Sequence, residues 1–280
     1  MTKTLDKKID FTVVFTVKDA NPNGDPLNGN RPRQDYQGFG EMSDVAIKRK
    51  LRNRLQDLEQ PIFVQSQDNT IDGFGSLRER AEGNEALKKI KNDRETYALL
   101  ACQSWFDVRA FGQVFAFKGS GKDGVSVGVR GPVSIQAAKS LDQITINSMQ
   151  ITKSVNSEPG DKKGSDTMGM KHKVDYGIYK FSGSINPQLA EKTGFTYEDA
   201  HLLKKSLESL FENDMSSARP EGSMEVRAVY WWEHNSKLGQ YSSAQVHRAL
   251  QVEATEDENQ PIRIVKDAIL NELNEFAYEV

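Results

Sequence analysis

Cys102 is the only cysteine among 280 residues, which excludes an intrachain disulfide and any Cys-rich zinc cluster. The four histidines, His172, His201, His234 and His247, are scattered, with no HExxH pair and no carboxylate at ligand spacing, so no metal site is expected. No apolar run reaches about 18 residues and the N-terminus lacks a signal-peptide core, which points to a cytoplasmic chain. A Walker loop is missing as well: in KGSGKDG, residues 118–124, Lys122 is followed by Asp123 at the wrong spacing, so nucleotide hydrolysis is not expected. Nor is there an internal repeat, so any repetition must be between copies of the chain.

What is present is a chain long enough for one large core with insertions, 37% apolar and 28% charged, with a net charge of -3. That negative balance belongs to the tail, because residues 251–280 hold eight acids and two bases. The opposite sign gathers near the start. Between Asn28 and Arg54 lie Arg31, Arg33, Lys48, Arg49, Lys50, Arg52 and Arg54, against Asp35, Glu41 and Asp44. A Gly/Asn/Pro loop feeding a basic helix suits a polyanion, since phosphates accept from both backbone amides and guanidinium groups. An ordinary connection and a merely solvated basic face would show the same pattern.

In chain order, IDFTVVFTV (9–17) reads as a core strand, and Lys18–Asn30 as a loop punctuated by NPNGDP. Ser43 or Asp44 caps a helix whose apolar stripe is Val45, Ile47, Leu51, Leu55 and Leu58. Residues 60–95 read as an excursion from the core without enough apolar residues for a core of its own, with Asn84–Arg94 as the surface of a helix. Glu95–Trp105 docks a helix through Tyr97, Leu99, Leu100 and Trp105. In SWFDVRAFGQVFAF (104–117) the phenylalanines suit a core or subunit interface, and Arg109 stands out as a cation that a carboxylate can hold while it reaches outward. Strands follow at Val125–Ile135, broken by Gly131 and Pro132, and again at ITINSMQITK. Residues 154–173 are basic and nearly devoid of apolar anchors, as suits either a hairpin that orders on a partner or a plain surface loop. VDYGIYKFSGSI (174–185) is a strand, Thr196–Phe211 a capped helix, Met224–Trp232 a strand, and Ile262–Leu273 fits either period. This order predicts an α+β fold of the split βαβ type with large insertions.

NPNGDPLNGNRPR (21–33), SDVAIKRKLRN (43–53), WFDVRAFG (105–112), RGPVSIQ (130–136) with SLDQI (140–144) and ITKS (151–154), and MGMKHKVDYGIYKFSG (168–183) occur together and in order. Across essentially the whole chain the sequence resembles the Cas7 backbone subunit of the type I-C CRISPR interference complex, the Csd2/Csh2 family. The resemblance implies one domain over 1–280, a modified RRM-type (ferredoxin-like) palm with finger, web and thumb insertions. Residues 60–95 would be the finger and 154–175 the thumb. It implies a non-catalytic, cofactor-free subunit, forming a helical filament with further copies of itself along the CRISPR RNA and presenting its bases to a target DNA strand with periodic kinks. Cas5, Cas8 and the small subunit Cas11 would be its other partners.

Carried onto this chain, the resemblance makes Arg31, Arg33, Lys48, Arg49 and Arg52 contacts to the RNA backbone, with Arg109, Lys171 and His172 as further candidates. Met168 or Met170 would be the apolar thumb wedge, unless it packs on the neighbouring subunit. Two other functions compete. Asp19, Asp25, Asp35 and Asp44 with His172 would have to converge to make a metal-dependent nuclease, and nothing fixes them at ligand spacing. A scaffold without nucleic acid would instead dock its basic helix on an acidic partner, such as another copy's Glu253–Glu258.

Overall fold

The computed structural model describes residues 3–90, 93–116, 126–152, 168–255, 257 and 259–280. The β-branched and aromatic run near the start forms β1 (Ile9–Ala20), and a short ribbon of β2 (Gly24–Asp25) and β3 (Arg31–Pro32) leads to β4 (Phe39–Met42). β1 is longer than its sequence pattern predicts. Lys18 and Ala20 pair with Tyr176 and Val174, so the strand runs up to the first real breaker, Asn21-Pro22, with only Asp19 departing to φ 54°. Ser43 caps α1 (Asp44–Asp57) by accepting from the Ala46 N–H. Ile47, Leu51 and Leu55 of its stripe are buried, whereas Val45 is exposed.

The excursion after Pro61 contains α2 (Leu77–Gly83) and meets α3 (Arg94–Ser104) and α4 (Phe106–Phe111). The helix expected at 84–94 is instead a single 3-10 turn at Leu87–Lys89, with the regular helices on either side. Then come β5 (Gly112–Ala116), β6 (Ser126–Arg130), β7 (Val133–Ile135), β8 (Ala138–Gln143), β9 (Ile146–Thr152) and β10 (Met168–Ile185). The chain continues through α5 (Pro187–Thr193), α6 (Tyr197–Glu208), β11 (Met224–Glu233), α7 (Ser243–Ala249), β12 (Leu250–Ala254), β13 (Ile262–Lys266) and β14 (Asn274–Glu279). The ambiguous 262–273 segment is therefore a strand followed by a 3-10 turn.

Among the described residues, one eight-stranded sheet runs β14-β11-β1-β10-β8-β4, with β7 and β9 also paired to β10, and its pairings are antiparallel. At its centre β11-β1-β10-β8 has the 4-1-3-2 order of a split βαβ unit, with α1 between β1 and β8 and α6 between β10 and β11. This is the α+β, ferredoxin-like core.

Strand alternation assigns the two faces. Phe11, Val13, Phe15 and Val17 of β1 point to the side where Ile47 and Leu51 of α1 meet Leu203 and Leu207 of α6. Each of these fully buried leucines contributes about 2 kcal/mol of transfer free energy. Phe11 stacks on Trp231 at 5.4 Å and Phe15 on Tyr179 at 5.3 Å. Val14 of β1 points the other way and meets Ile178, Tyr230, Trp232, Val246 and Leu250.

The excursion does bury apolar surface, by sharing it. Phe63, Ala81 and Leu87 join Tyr97, Ala101, Trp105, Val108, Phe115 and Val127 in a satellite core. Leu99, expected to dock α3, lies on its exposed side. No helix among the described residues is long and apolar enough to cross a membrane.

Candidate nucleic-acid interface

The asparagine-rich loop is stitched to the helix that follows it. Asp25 accepts the Leu27 N–H at 3.2 Å, and Gly29 and Asn30 turn back through left-handed conformations at φ 58° and 59°. Asn21 donates to the Asn30 carbonyl at 2.7 Å. The side-chain oxygen of Asn23 accepts the Ser43 N–H at 2.9 Å, so the loop is fastened to the α1 cap. Arg31 and Arg33 are carried on this fastened loop. Arg31 donates to Ser148 Oγ at 3.0 Å and lies 3.5 Å from His172 Nδ1, which is itself 2.8 Å from that hydroxyl. Arg33 approaches Asp25 at 3.6 Å, and its Nε is buried without a partner.

Most of the basic charge of α1 already has a partner in the fold. Lys48 pairs with Asp44 at 3.1 Å, one helical turn back. Lys50 is buried against Asp214, and Arg54 reaches Ser209 at 2.8 Å and Glu212 at 2.5 Å. Arg52 Nε donates to Asp107 at 2.8 Å, while its guanidinium lies 5.2 Å from the centre of the Phe111 ring. Arg49 differs, because its hydrogen-bond partner is the Val64 carbonyl, at 2.7 Å. Burial, followed by the like charge of Arg52, holds the Arg49 pKa below its ordinary value, and Asp107 and Asp68 oppose this.

Arg109 is gripped by Asp199, through Nε to Oδ2 at 3.1 Å and Nη2 to Oδ1 at 2.7 Å, and its guanidinium lies over Phe106. The carboxylate that holds it belongs to α6, not to the neighbouring Asp107. Behind α4, Gly112 turns at φ 80°, where an added Cβ would lie 2.4 Å from the Val129 carbonyl oxygen; only glycine lets β5 leave the helix this closely.

Strands β9 and β10 project as a two-stranded arm, with Met170 opposite Gln150 and His172 opposite Ser148. Of the expected thumb, 154–175, residues 154–167 lie outside the described residues, as does the 118–124 turn. Strand alternation puts Met168, Met170 and His172 on one face and Lys171 and Lys173 on the other. Met168 and Met170 are 58% and 56% exposed, and Met149 and Ile151 extend the opposite face. Lys171 and His172, adjacent in sequence, therefore face opposite sides of the arm, and His172 shares Ser148 with Arg31.

The carboxylates of the nuclease alternative do not converge. Asp19 pairs with Lys173, Asp25 with Arg33, Asp35 with Lys139 at 2.6 Å, and Asp44 with Lys48. Among the described residues no group of three His, Cys, Asp or Glu side chains can hold a metal ion. Of the Glu253–Glu258 stretch, Glu253 pairs with Arg263, while Glu256 and Glu258 lie outside the described residues; further along, Glu275 meets Lys266 and Trp232, and Glu279 meets Tyr230.

Among solved structures, similarity extends to a "CRISPR RNA-guided surveillance complex, pre-nicking" at TM-score 0.46 and 16% identity, covering 80% of this chain and 75% of that one. A second "CRISPR RNA-guided surveillance complex" matches at TM-score 0.43 and 16% identity, covering 80% and 68%. A CRISPR-associated protein Cas7 from Haloferax volcanii is 27% identical over 275 residues, 92% of this chain and 78% of that protein. The profile of the family described as CRISPR-associated protein Cas7 matches residues 7–271, nearly the whole sequence, and the chain belongs to that family.

Proposed function

We propose that this chain is the non-catalytic RNA-binding backbone subunit of a CRISPR interference complex of type I-C, the Csd2/Csh2 group. Copies line up head to tail along the spacer of the CRISPR RNA, hold its phosphates and leave its bases free for a target DNA strand. The carrying observation is that Arg31 and Arg33 sit on a loop fastened by Asn23 to the cap of α1, the same helix that carries Arg49 and Arg52. Phosphate oxygens accept from such donors without regard to sequence, as a subunit that must hold any spacer requires. In this reading Lys48, Lys171 and His172 add backbone contacts, and Arg109, engaged by Asp199, supports the web from behind. The 60–95 excursion, which shares the satellite core, is the finger, and the β9–β10 arm carries the thumb with Met168 or Met170 as the wedge that makes the periodic kinks. Cas5, Cas8 and Cas11 complete the complex.

Light scattering after size exclusion, with and without a single-stranded RNA of about 35 nucleotides at low and high salt, tests this. Stepwise growth on RNA of any sequence, suppressed by salt and lost in Arg31→Glu/Lys48→Glu while the monomer stays folded, is expected. A salt-independent oligomer indifferent to RNA would overturn it in favour of the protein scaffold.

A further inference from the structure

Asp107 is almost wholly buried, yet its carboxylate does more than satisfy itself. Oδ1 accepts the Phe63 N–H at 2.7 Å, and Oδ2 accepts the Val64 N–H at 3.1 Å and Arg52 Nε at 2.8 Å. The Val64 carbonyl then takes Arg49 Nη1 at 2.7 Å. One carboxylate and the peptide it anchors thus grip two guanidiniums spaced i, i+3 on α1. The same peptide is fixed from its far side, because Arg80 donates to the Phe63 carbonyl at 2.9 Å and forks onto Asp72 at 2.5 and 2.9 Å.

The gripped pair is left with donors to offer. Neither Arg52 terminal nitrogen, nor Arg49 Nε and Nη2, has a hydrogen-bond partner among the described residues, and none is among the buried unpaired atoms. Among the described residues Asp107 is the one carboxylate hydrogen-bonded to either arginine; Asp68 acts on Arg49 only through its charge, so these N–H groups remain open to a further acceptor. Two guanidiniums held side by side with free N–H groups match one tetrahedral oxyanion. Lys48, tied only to Asp44 at the surface, has no such support.

We propose that Asp107 is a positioning residue for RNA: it aims Arg52 directly, and Arg49 through Val64, at one backbone phosphate. This rests on the RNA-backbone reading above. It also makes the site depend on the satellite core, since Phe63 belongs to that core and its N–H bonds Asp107.

The test is fluorescence anisotropy of the full chain with a labelled oligouridylate, at several salt concentrations, alongside thermal melting. By charge alone, Asp107→Asn should tighten binding to a polyanion. The positioning role gives the opposite sign, a loss of about tenfold, and Arg52→Lys should lose about as much although it keeps its charge. Because Asp107 also aims Arg49, Asp107→Asn/Arg52→Gln should bind more weakly than Arg52→Gln alone but lose less than the two single losses combined, and Asp107→Asn should cost nothing further in an Arg49→Gln/Arg52→Gln background. Binding of Asp107→Asn as tight as the parent's, or Arg52→Lys indistinguishable from the parent, overturns the proposal. Should Asp107→Asn fail to fold, Arg52→Lys decides. If Arg33→Gln and Arg52→Gln bind as the parent does, the RNA reading itself falls; if those two weaken while Asp107→Asn and Arg52→Lys do not, only the role of Asp107 falls.

Discussion

His234 Nε2 lies 2.8 Å from Asp10 Oδ2, with both side chains wholly removed from solvent although 224 positions separate them. Lys8 Nζ approaches the same oxygen at 3.1 Å and His247 Nε2 the other at 3.5 Å. Burial alone would push the Asp10 carboxyl up. The hydrogen bond with His234, the nearby polar groups of His247 and Ser243 and the Lys8 charge outweigh it and hold the group far below the usual carboxylate range. β1, β11 and α7 are tied together at this point, on the sheet face away from α1.

Asp10→Ala should therefore destabilise the fold by about 3 to 5 kcal/mol, because it leaves the Lys8 ammonium without its anion and the buried His234 ring without its hydrogen-bond partner. A folded pKa held this low means the stabilising contribution is present in full above the unfolded carboxylate pKa, and is lost only as pH falls well below it. Urea unfolding at pH 7 and pH 3 measures both effects. A midpoint unchanged at pH 7 would refute the assignment of Asp10 as a tie.

Arg109 and Asp199 form the second buried tie, between α4 and the N-terminal turn of α6, where Asp199 also closes a capping box with Thr196. Arg109→Gln is expected to cost about 3 kcal/mol of stability. Its effect on RNA binding should not change the salt slope, whereas Arg31→Gln should reduce that slope by roughly 0.7 for one lost phosphate contact. A salt slope that falls equally in both variants would make Arg109 a direct contact.

Both ties show what a sequence can and cannot reveal. The alternation of Phe11, Val13, Phe15 and Val17, the Ser43 cap and the Gly131-Pro132 break are local signals, and each lies where its pattern predicts. Lys50 with Asp214, Arg52 with Asp107 and Asp10 with His234 are made by helix packing and strand pairing, which bring together positions far apart in the chain. The basic helix therefore reads as a free positive field in one dimension and as a set of largely paired charges in three. α7 and β14 escaped notice for a related reason. α7 is only seven residues long and β14 has few buried side chains, so neither leaves a clear period.

Cys102 should be inert in the native chain. It is buried in the satellite core, and burial pushes its thiol up to about 11, with Arg109 opposing. Incubation with iodoacetamide at pH 8 is expected to leave it unmodified until denaturant is added. Rapid native alkylation would mean that the satellite core opens readily, and would weaken the coupling of that core to Asp107.

Lys50 gives the sharpest pH signature. It is almost fully buried on α1, beside Asp214 and 5.7 Å from the Phe211 ring centre. Burial lowers its pKa to about 8; Asp214 opposes that, and Arg219, which shares the Asp214 carboxylate at 3.0 Å, adds to it. Between about pH 8 and the ordinary lysine value near 10.4, the unfolded chain binds a proton that the folded chain has released, so stability must rise with pH across that window. Below it Lys50 is charged in both states and its desolvation cost applies in full. Lys50→Met removes this dependence while Arg219 still neutralises Asp214. The stability of the parent relative to Lys50→Met should therefore improve by on the order of 2 kcal/mol from pH 7 to pH 10. Parallel melting profiles for the two proteins over that range would show that Lys50 keeps an ordinary pKa in the fold.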